Sequence, residues 1–180
     1  MTGKITELTA TLVPTDNDLV EIVQDVPTTP VNKKITIANF RKITAVPSTD
    51  LTVSGTIIQL TANENQAFGD VCFIGGGTYA GKAVLGNANA IATASCIAIC
   101  ADATIDADAS GNYLLRGIVR DDTWNWTVGG LIYLSTTGTT GNTLTQTAPS
   151  GTDDVVQILG IATNADRIYF NPQLVQVEHT

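Results

Sequence analysis

The stretch GGLIYLSTTGTTGNTLTQTAPSG, from Gly129 to Gly151, begins with an apolar run and continues into Thr, Gly and Asn. This pattern predicts a β-strand over Leu131 to Leu134, an exposed turn over Thr136 to Asn142 and a second strand near Leu144. One face of the first strand must be buried, and we expect it to carry Leu131 and Tyr133. The stretch contains no His, Cys or charged residue. It therefore predicts a structural role rather than a chemical one.

An earlier segment of the chain resembles this stretch, which indicates an internal duplication. GDVCFI begins at Gly69 and resembles GGLIYL at Gly129, an offset of 60 residues (129 minus 69). GKAVLGNAN, which begins at Gly81, resembles GNTLTQTAP at Gly141, again at an offset of 60. IAICADAT resembles ILGIATNA at an offset of 61 (158 minus 97). The segments NYLLRGIV and DRIYFNPQ end the two halves. Each half has about four strands, too few to enclose a core alone. We therefore predict one β-barrel or β-sandwich made from both halves.

Composition supports a mainly β protein. Of the 180 residues, 43% are hydrophobic and only 14% are charged, and Thr, Val and Ile are frequent. Branched side chains pack well on a pleated sheet and lose rotamer freedom in a helix. The sequence divides into a small N-terminal attachment or oligomerisation module over residues 1–46, a connecting strand or linker over 47–62, and the duplicated β-domain over 63–180. Gly55 breaks the alternation of the connecting strand and predicts a bulge or bend.

The N-terminal module is expected to hold the attachment surface. Leu19 to Val23 and Lys33 to Ile37 read as strands on either side of a proline-containing loop, and ANFRKI follows as a short helix. A small basic patch in this region could meet an acidic partner. The candidate attachment and interface residues are Leu19, Ile22, Lys33, Lys34, Ile35, Ile37, Phe40 and Arg41.

Net charge and cysteine content exclude several classes of function. The net charge is −8 and the pI is about 4.3, which disfavours nucleic acid as a partner. The three cysteines lie among apolar neighbours, and their odd number predicts buried free thiols in a chain made in a reducing cytoplasm. The sequence has no signal-peptide pattern and no apolar run of about 20 residues, so no membrane partner is expected.

Two glycine-rich segments resemble ligand-binding loops only in part. Gly76 to Lys82 fits G-x-x-x-x-G-K, but Ala83 follows where a phosphate-binding loop needs Ser or Thr, and the next residues are not helical. Asp106 to Asn112 matches the first half of a calcium loop, yet Gly117 occupies the position of the bidentate Glu. Both segments are predicted to be turns.

Other candidate chemical groups also favour structural readings. Trp124 and Trp126 are predicted on one face of a strand, where they pack in a core or a subunit contact or, if exposed, stack on a sugar or a partner. The only histidine, His179, lies beside the C-terminus. The doublets Asp121-Asp122 and Asp153-Asp154 read as solvated turns. We predict no catalytic residue, no cofactor and no metal site.

Two parts of the sequence resemble virion proteins of tailed bacteriophages. KITELTATLVPTDNDLVEIVQD, followed by KKITIANF, resembles the N-terminal module of many such proteins. AFGDVCFI and the segment VGGLIYLSTTGTTGNTLTQTAPSGTDDVVQILGIATNADRIYFNPQLVQVEH are similar to the C-terminal β-domain of capsid decoration, cement and fibre-like proteins. The series YLSTT, LTQTAPSG, LGIAT and YFNP carries most of this resemblance.

The resemblance implies a non-enzymatic structural protein of the virion. The expected form is a homotrimeric decoration or cement protein on the capsid surface, whose partners are copies of itself and the major capsid protein or neighbouring virion proteins. The alternative is a short head or tail fibre that binds a host-surface glycan through turns and through Trp124 and Trp126. An enzyme such as a depolymerase ranks third.

Overall fold

A computed structural model describes residues 46–179 in full and the backbone of residues 19–24 and 31–36. The chain divides into two compact units, residues 1–43 and residues 44–180. The protein is mainly β, with 43% strand and 4% helix, as the composition predicts.

Fifteen strands and two short 3-10 helices make up the described secondary structure. The strands are β1 (Leu19–Gln24), β2 (Val31–Thr36), β3 (Thr52–Thr61), β4 (Gln66–Ala67), β5 (Val71–Ile74), β6 (Ala83–Leu85), β7 (Ala98–Cys100), β8 (Thr104–Ile105), β9 (Ser110–Arg120), β10 (Leu131–Leu134), β11 (Leu144–Thr145), β12 (Val155–Val156), β13 (Ile158–Asn164), β14 (Arg167–Phe170) and β15 (Val177–Glu178). The 3-10 helices span Gly77–Tyr79 and Ile91–Thr93.

The first unit contains an antiparallel pair. Strand β1 pairs with β2 from Leu19 opposite Thr36 to Gln24 opposite Val31. Strand β1 covers the predicted Leu19 to Val23, and β2 overlaps the predicted Lys33 to Ile37 at residues 33–36 but begins at Val31. Residues 37–45, which include the predicted short helix and the candidate residues Ile37, Phe40 and Arg41, lie outside the described residues.

The second unit is built around one antiparallel sheet of nine strands, which curls into a half-barrel. The strand order is β11-β10-β13-β14-β9-β7-β5-β6, and β3 pairs with β9 along its free edge. Two small antiparallel pairs, β4 with β8 and β12 with β15, complete the unit.

The duplication is visible in the strand order. The first repeat is arranged β6-β5-β7-β9, and the second is arranged β11-β10-β13-β14. The 11-residue strand β9 also joins the repeats, because β7 pairs with its first half and β14 pairs with its second half along the same edge. The two repeats therefore form one continuous sheet.

Hydrogen-bonded registers correct the sequence alignment of the repeats. Val71 lies opposite Ile99, whereas Ile132 lies opposite Gly160. Matching Val71 with Ile132, which both lie in the inner layer, relates β5 to β10 and β7 to β13 by 61 residues each (132 minus 71, and 160 minus 99), whereas the sequence alignment gives 60 at the first strand. A slip of one residue exchanges the two faces of a strand.

This correction explains why the predicted burial of β10 is wrong. Ile132 and Leu134 are fully buried, while Leu131 is 40% exposed and Tyr133 is half-buried. The core face of the strand is therefore the one opposite to our expectation. A register shift between Ile132 and Tyr133 marks a bulge against β13.

Within residues 47–62, Thr52–Thr61 forms strand β3 of the main sheet. Strand β3 pairs with β9 from Thr52 to Thr61, and a register shift between Thr56 and Ile57 confirms the bulge expected near Gly55. Gly55 lies opposite Gly117, and a Cβ at Gly55 would lie 2.1 Å from the Arg116 carbonyl oxygen. Only glycine fits at this close approach of two backbones.

Apolar side chains form a layer on each face of the sheet. The inner layer extends through both repeats and includes Val71, Ile99, Leu114, Ile132, Leu134, Leu159, Ile168 and Phe170. The outer layer is confined to the first repeat and comprises Ala62, Cys72, Ala83, Ala98, Cys100, Ile105 and Tyr113.

Candidate functional site

The outer faces of the two repeats can be compared residue by residue. Cys100 lies opposite Tyr113 in the first repeat, and Ile161 lies opposite Tyr169 in the second. The same offset of 61 relates Cys100 to Ile161, and an offset of 56 (169 minus 113) relates the two tyrosines. These pairs are therefore equivalent positions on the duplicated sheet.

The chain itself covers the outer face of the first repeat. Cys100 and Tyr113 are completely buried, and the Tyr113 hydroxyl donates a hydrogen bond of 2.7 Å to Gln66 Oε1. Gln66 is itself buried and donates through Nε2 to the Ala83 carbonyl oxygen at 3.0 Å. Ile105 packs in the same layer, so the β4–β8 pair acts as the cover of this face.

On the equivalent face of the second repeat, no pair of strands among residues 46–179 forms such a cover. Leu131, Ile161, Tyr169 and Ile118 lie opposite one another on four neighbouring strands, and we call this set the apolar row. Leu131 is 40% and Ile161 is 37% exposed. The Tyr169 hydroxyl accepts a hydrogen bond of 2.7 Å from Arg116 Nε, whose guanidinium lies 5.8 Å from the ring centre.

Ion pairs border the apolar row. Arg120 contacts Asp122 at 2.6 Å and Asp166 at 3.3 Å, and Arg167 contacts Asp166 at 3.3 Å. The hydrogen bond from Arg120 lowers the pKa of the Asp122 carboxyl. An apolar patch with a polar rim is typical of a protein contact surface.

A separate cavity lies beside the two tryptophans. Its volume is about 220 Å³, and its lining residues are Phe68, Gly69, Trp124, Trp126, Gly141, Asn142, Thr143 and Leu144. The indole rings lie 5.5 Å apart at an interplanar angle of 57°. Trp124 and Trp126 lie in the β9–β10 connection rather than on a strand, and they are half-buried against the inner layer.

Asp70 fixes one wall of this cavity. Its carboxylate is buried and accepts hydrogen bonds from the backbone nitrogens of Ala67 and Gly141, each at 2.8 Å. Thr143 Oγ1 lies 3.4 Å from the same carboxylate and accepts a hydrogen bond of 2.9 Å from Val71 N. Burial raises the pKa of Asp70, and these hydrogen bonds act in the opposite direction. The turn predicted over Thr136 to Asn142 is thus tied to the first repeat.

One polar atom at the cavity remains unsatisfied within residues 46–179. Trp126 Nε1 is buried and finds no hydrogen-bond acceptor there. Two further buried atoms, the acceptor Asp166 Oδ1 and the donor Arg167 Nε, also lack a partner, but their residues lie outside the cavity lining. A buried donor without an acceptor costs roughly 1–3 kcal/mol.

The cysteines are poor candidates for chemistry. All three thiols are free and buried. Burial raises the pKa of Cys72 and Cys96 and raises the pKa of Cys100 to about 12. A thiol with such a pKa is protonated at neutral pH and is a weak nucleophile. Within the described part of the chain, no group of three or more His, Cys, Asp or Glu side chains could hold a metal ion.

The two glycine-rich motifs form turns that contact each other. Lys82, the last residue of the G-x-x-x-x-G-K motif, forms an ion pair of 2.6 Å with Asp108 of the calcium-like motif. Asp108 has a φ of 64°, a left-handed conformation that suits a hairpin turn. The doublet Asp121-Asp122 is not the fully solvated turn that the sequence predicts. Asp121 is buried and accepts hydrogen bonds from the backbone nitrogen and the hydroxyl of Thr123.

The candidate attachment residues in the first unit are described at the backbone level. Leu19 and Ile22 lie in β1, whereas Lys33, Lys34 and Ile35 lie in β2. The register places Ile22 opposite Lys33 and Val20 opposite Ile35.

Sequence reasoning missed Asp70 and Gln66, which organise the cavity wall and the cover of the first repeat. The available signal was an asymmetry between the repeats. At the structural offset of 61, Asp70 corresponds to Leu131 (131 minus 70), so a carboxylate stands where the other repeat has an apolar residue.

The chain matches no protein-family model, no curated protein and no solved structure. Among the described residues, none of the helices has the length and apolar character needed to span a membrane.

Proposed function

We propose that this chain is a non-enzymatic structural protein of a tailed-phage virion, in the form of a homotrimeric capsid decoration protein that binds and stabilises the head shell. The sequence resemblance to decoration and cement proteins supports this role, and the mainly β architecture agrees with it. The buried, protonated thiols favour a role in shape and contact over nucleophilic catalysis.

One observation carries the proposal: the outer face of the first repeat is buried, whereas the equivalent face of the second repeat is partly exposed. The chain covers Cys100 and Tyr113 with its own β4–β8 pair, whereas Ile161 and Leu131 keep more than a third of their surface exposed. Repeats with the same strand order have the same need to bury apolar side chains. A second copy of the chain supplies the missing cover in this proposal.

Charge also favours a neutral contact at this face. The chain has a net charge of −8, so two copies repel each other over most of their surfaces. The apolar row contains no carboxylate, and the acidic groups at its border are paired with Arg120 and Arg167. Association through this row therefore avoids unpaired negative charges in the contact.

The first test is the oligomeric state of full-length variants. We expect a trimer by light scattering at micromolar concentration, and we expect Ile161→Asp or Leu131→Asp to give a folded monomer. Ile91→Asp is a matched control, because Ile91 is 50% exposed but lies on a 3-10 helix outside the apolar row. A wild-type monomer, or a trimer that survives both row variants, contradicts this contact.

The second test is the copy number in purified particles. A decoration protein occupies many equivalent lattice positions, so quantitative densitometry should give hundreds of copies per particle or a number that follows the capsomer contacts. A few copies at the tail or at one vertex would contradict decoration and indicate a fibre.

A further inference from the structure

We propose that residues 174–178 of each copy, which we call the C-terminal strap, pack across the apolar row of a neighbouring copy. This contact rests on the self-association proposed above, and it specifies which surface of the second copy covers the row.

The C-terminal strap exposes an unusual amount of apolar surface. Val175 is 81%, Leu174 is 75% and Val177 is 62% exposed, and these are the three most exposed large apolar side chains among residues 46–179. All three lie within four consecutive residues. A contiguous apolar patch of this kind marks an interaction surface, whereas single exposed apolar residues do not.

Hydrogen bonds fix the strap to the body of the protein through its polar side. Gln176 Nε2 donates to the Ala94 carbonyl oxygen at 3.0 Å and to Ser95 Oγ at 3.1 Å. The short strand β15 also pairs with β12. Val175 and Val177, on either side of Gln176, remain exposed. The strap therefore presents its apolar side chains in a fixed arrangement, which lowers the conformational entropy lost on binding.

The strap and the apolar row are two separate surfaces of one chain. Ala94, which accepts the hydrogen bond from Gln176, and Val155 of β12 both belong to the inner layer. The apolar row lies on the outer face of the sheet. Contact between two different surfaces is heterologous, and a heterologous contact closes into a ring when the rotation between copies allows it. In a ring of three, every strap covers one row.

The lengths of the two surfaces match. Five residues of extended chain span roughly 13 Å, at about 3.3 Å per residue. The apolar row crosses four neighbouring strands, a distance of roughly 14 Å at about 4.8 Å between strands. One strap can therefore contact the row along its whole length.

Charge sets the direction of the strap on the row. Glu178 ends the strap and is exposed, while Arg116 is exposed at the β9 end of the row, where it donates to the Tyr169 hydroxyl. Neither forms an ion pair within residues 46–179. Asp153 and Asp154, just before β12, make the strap end more acidic, so two straps repel each other. Glu178 therefore lies at the Arg116 end.

Disulfide crosslinking tests this arrangement in the full-length protein. The stated direction places Val175 of one copy near Ile161 of the next, and the native thiols are buried. Mild oxidation of a mixture of Val175→Cys and Ile161→Cys proteins should give a dimer that neither variant gives alone, after free thiols are blocked. The double variant should give dimers and trimers but nothing larger. Val175→Cys mixed with Tyr79→Cys, a half-exposed site on the first 3-10 helix, should give no such dimer.

Charge reversal tests the direction independently of crosslinking. Arg116→Glu and Glu178→Arg each place like charges together, so each should raise the concentration at which the trimer dissociates by roughly tenfold. The double variant restores opposite charges and should recover most of the wild-type stability of the trimer. Both side chains are exposed, so circular dichroism should show every variant folded.

The effect of Val175→Asp separates this contact from the wider trimer proposal. The variant should be a folded monomer by light scattering, whereas Tyr79→Asp should remain a trimer. A trimer that survives Val175→Asp and gives no crosslink between positions 175 and 161 overturns the strap contact but leaves the trimer proposal standing. A wild-type monomer overturns both. A crosslink that forms only within one chain also overturns the strap contact, because the strap then covers its own row.

Discussion

Alanine substitutions at Ile132 and Leu131 test the assignment of the two faces of β10. The residues are neighbours and lose similar numbers of carbon atoms, but Ile132 is fully buried in the inner layer and Leu131 is 40% exposed. Truncation of a buried Ile or Leu typically costs about 2–5 kcal/mol, because the transfer free energy is lost and a cavity remains. We therefore expect Ile132→Ala to lower the free energy of unfolding by about 2–5 kcal/mol.

Leu131→Ala should cost less than about 1 kcal/mol in the monomer, because its side chain already contacts water and can leave no closed cavity. Urea denaturation followed by tryptophan fluorescence measures both values, since Trp124 and Trp126 pack against the inner layer and report its loss. Both variants and the wild type should be compared at a protein concentration at which light scattering shows a monomer, so that self-association does not contribute. Equal losses for the two variants, or a larger loss for Leu131→Ala, would refute the assignment of the two faces of β10.

Three further predictions concern buried groups and backbone contacts. A thiol-specific disulfide reagent at pH 8 should leave the native protein unlabelled and should label three cysteines after denaturation, because burial raises the pKa of thiols such as Cys100 to about 12. Burial also raises the pKa of Asp70 above its ordinary 3.8, so the contribution of this group to stability is present below that pH and is lost as pH rises through the folded-state pKa. The free energy of unfolding of the wild type relative to Asp70→Asn should therefore decline from acidic to neutral pH. A difference that stays constant with pH would contradict the shift. Gly55→Ala should lower the unfolding free energy by about 2 kcal/mol or more because of the clash with the Arg116 carbonyl, whereas Gly76→Ala, which meets no atom within 4 Å, should be nearly neutral in the same denaturation assay.

Local sequence patterns predicted many of the strands in this chain. The apolar runs at Leu19, Leu131 and Leu144 all form strands, because branched residues bounded by turn-forming residues have few other choices. The duplication was also predictable, since each repeat places similar apolar runs at similar spacing. Gly55 marked its bulge for the same local reason.

The facing of the strands and the candidate site were not predictable from these patterns. A one-residue shift reverses the buried face of β10, and the face is set by the packing of Ile132 and Leu134 into the inner layer. The alternation of Trp124 and Trp126 resembles a strand, but no neighbouring strand pairs with them in the described structure. Long-range polar contacts, such as that from Gly141 N to Asp70, leave no periodic signal.

Strand β9 has a consequence for how this unit unfolds and how it can be divided. One edge of the strand is shared between β7 of the first repeat and β14 of the second, and β3 occupies the other edge along nearly its whole length. A cut between the repeats after Arg120 would leave the C-terminal fragment without the strand on which β14 pairs. The sheet of the second repeat is therefore incomplete without β9 of the first repeat. Amide protons of β9 should be among the slowest to exchange, because they are released only when both repeats open together.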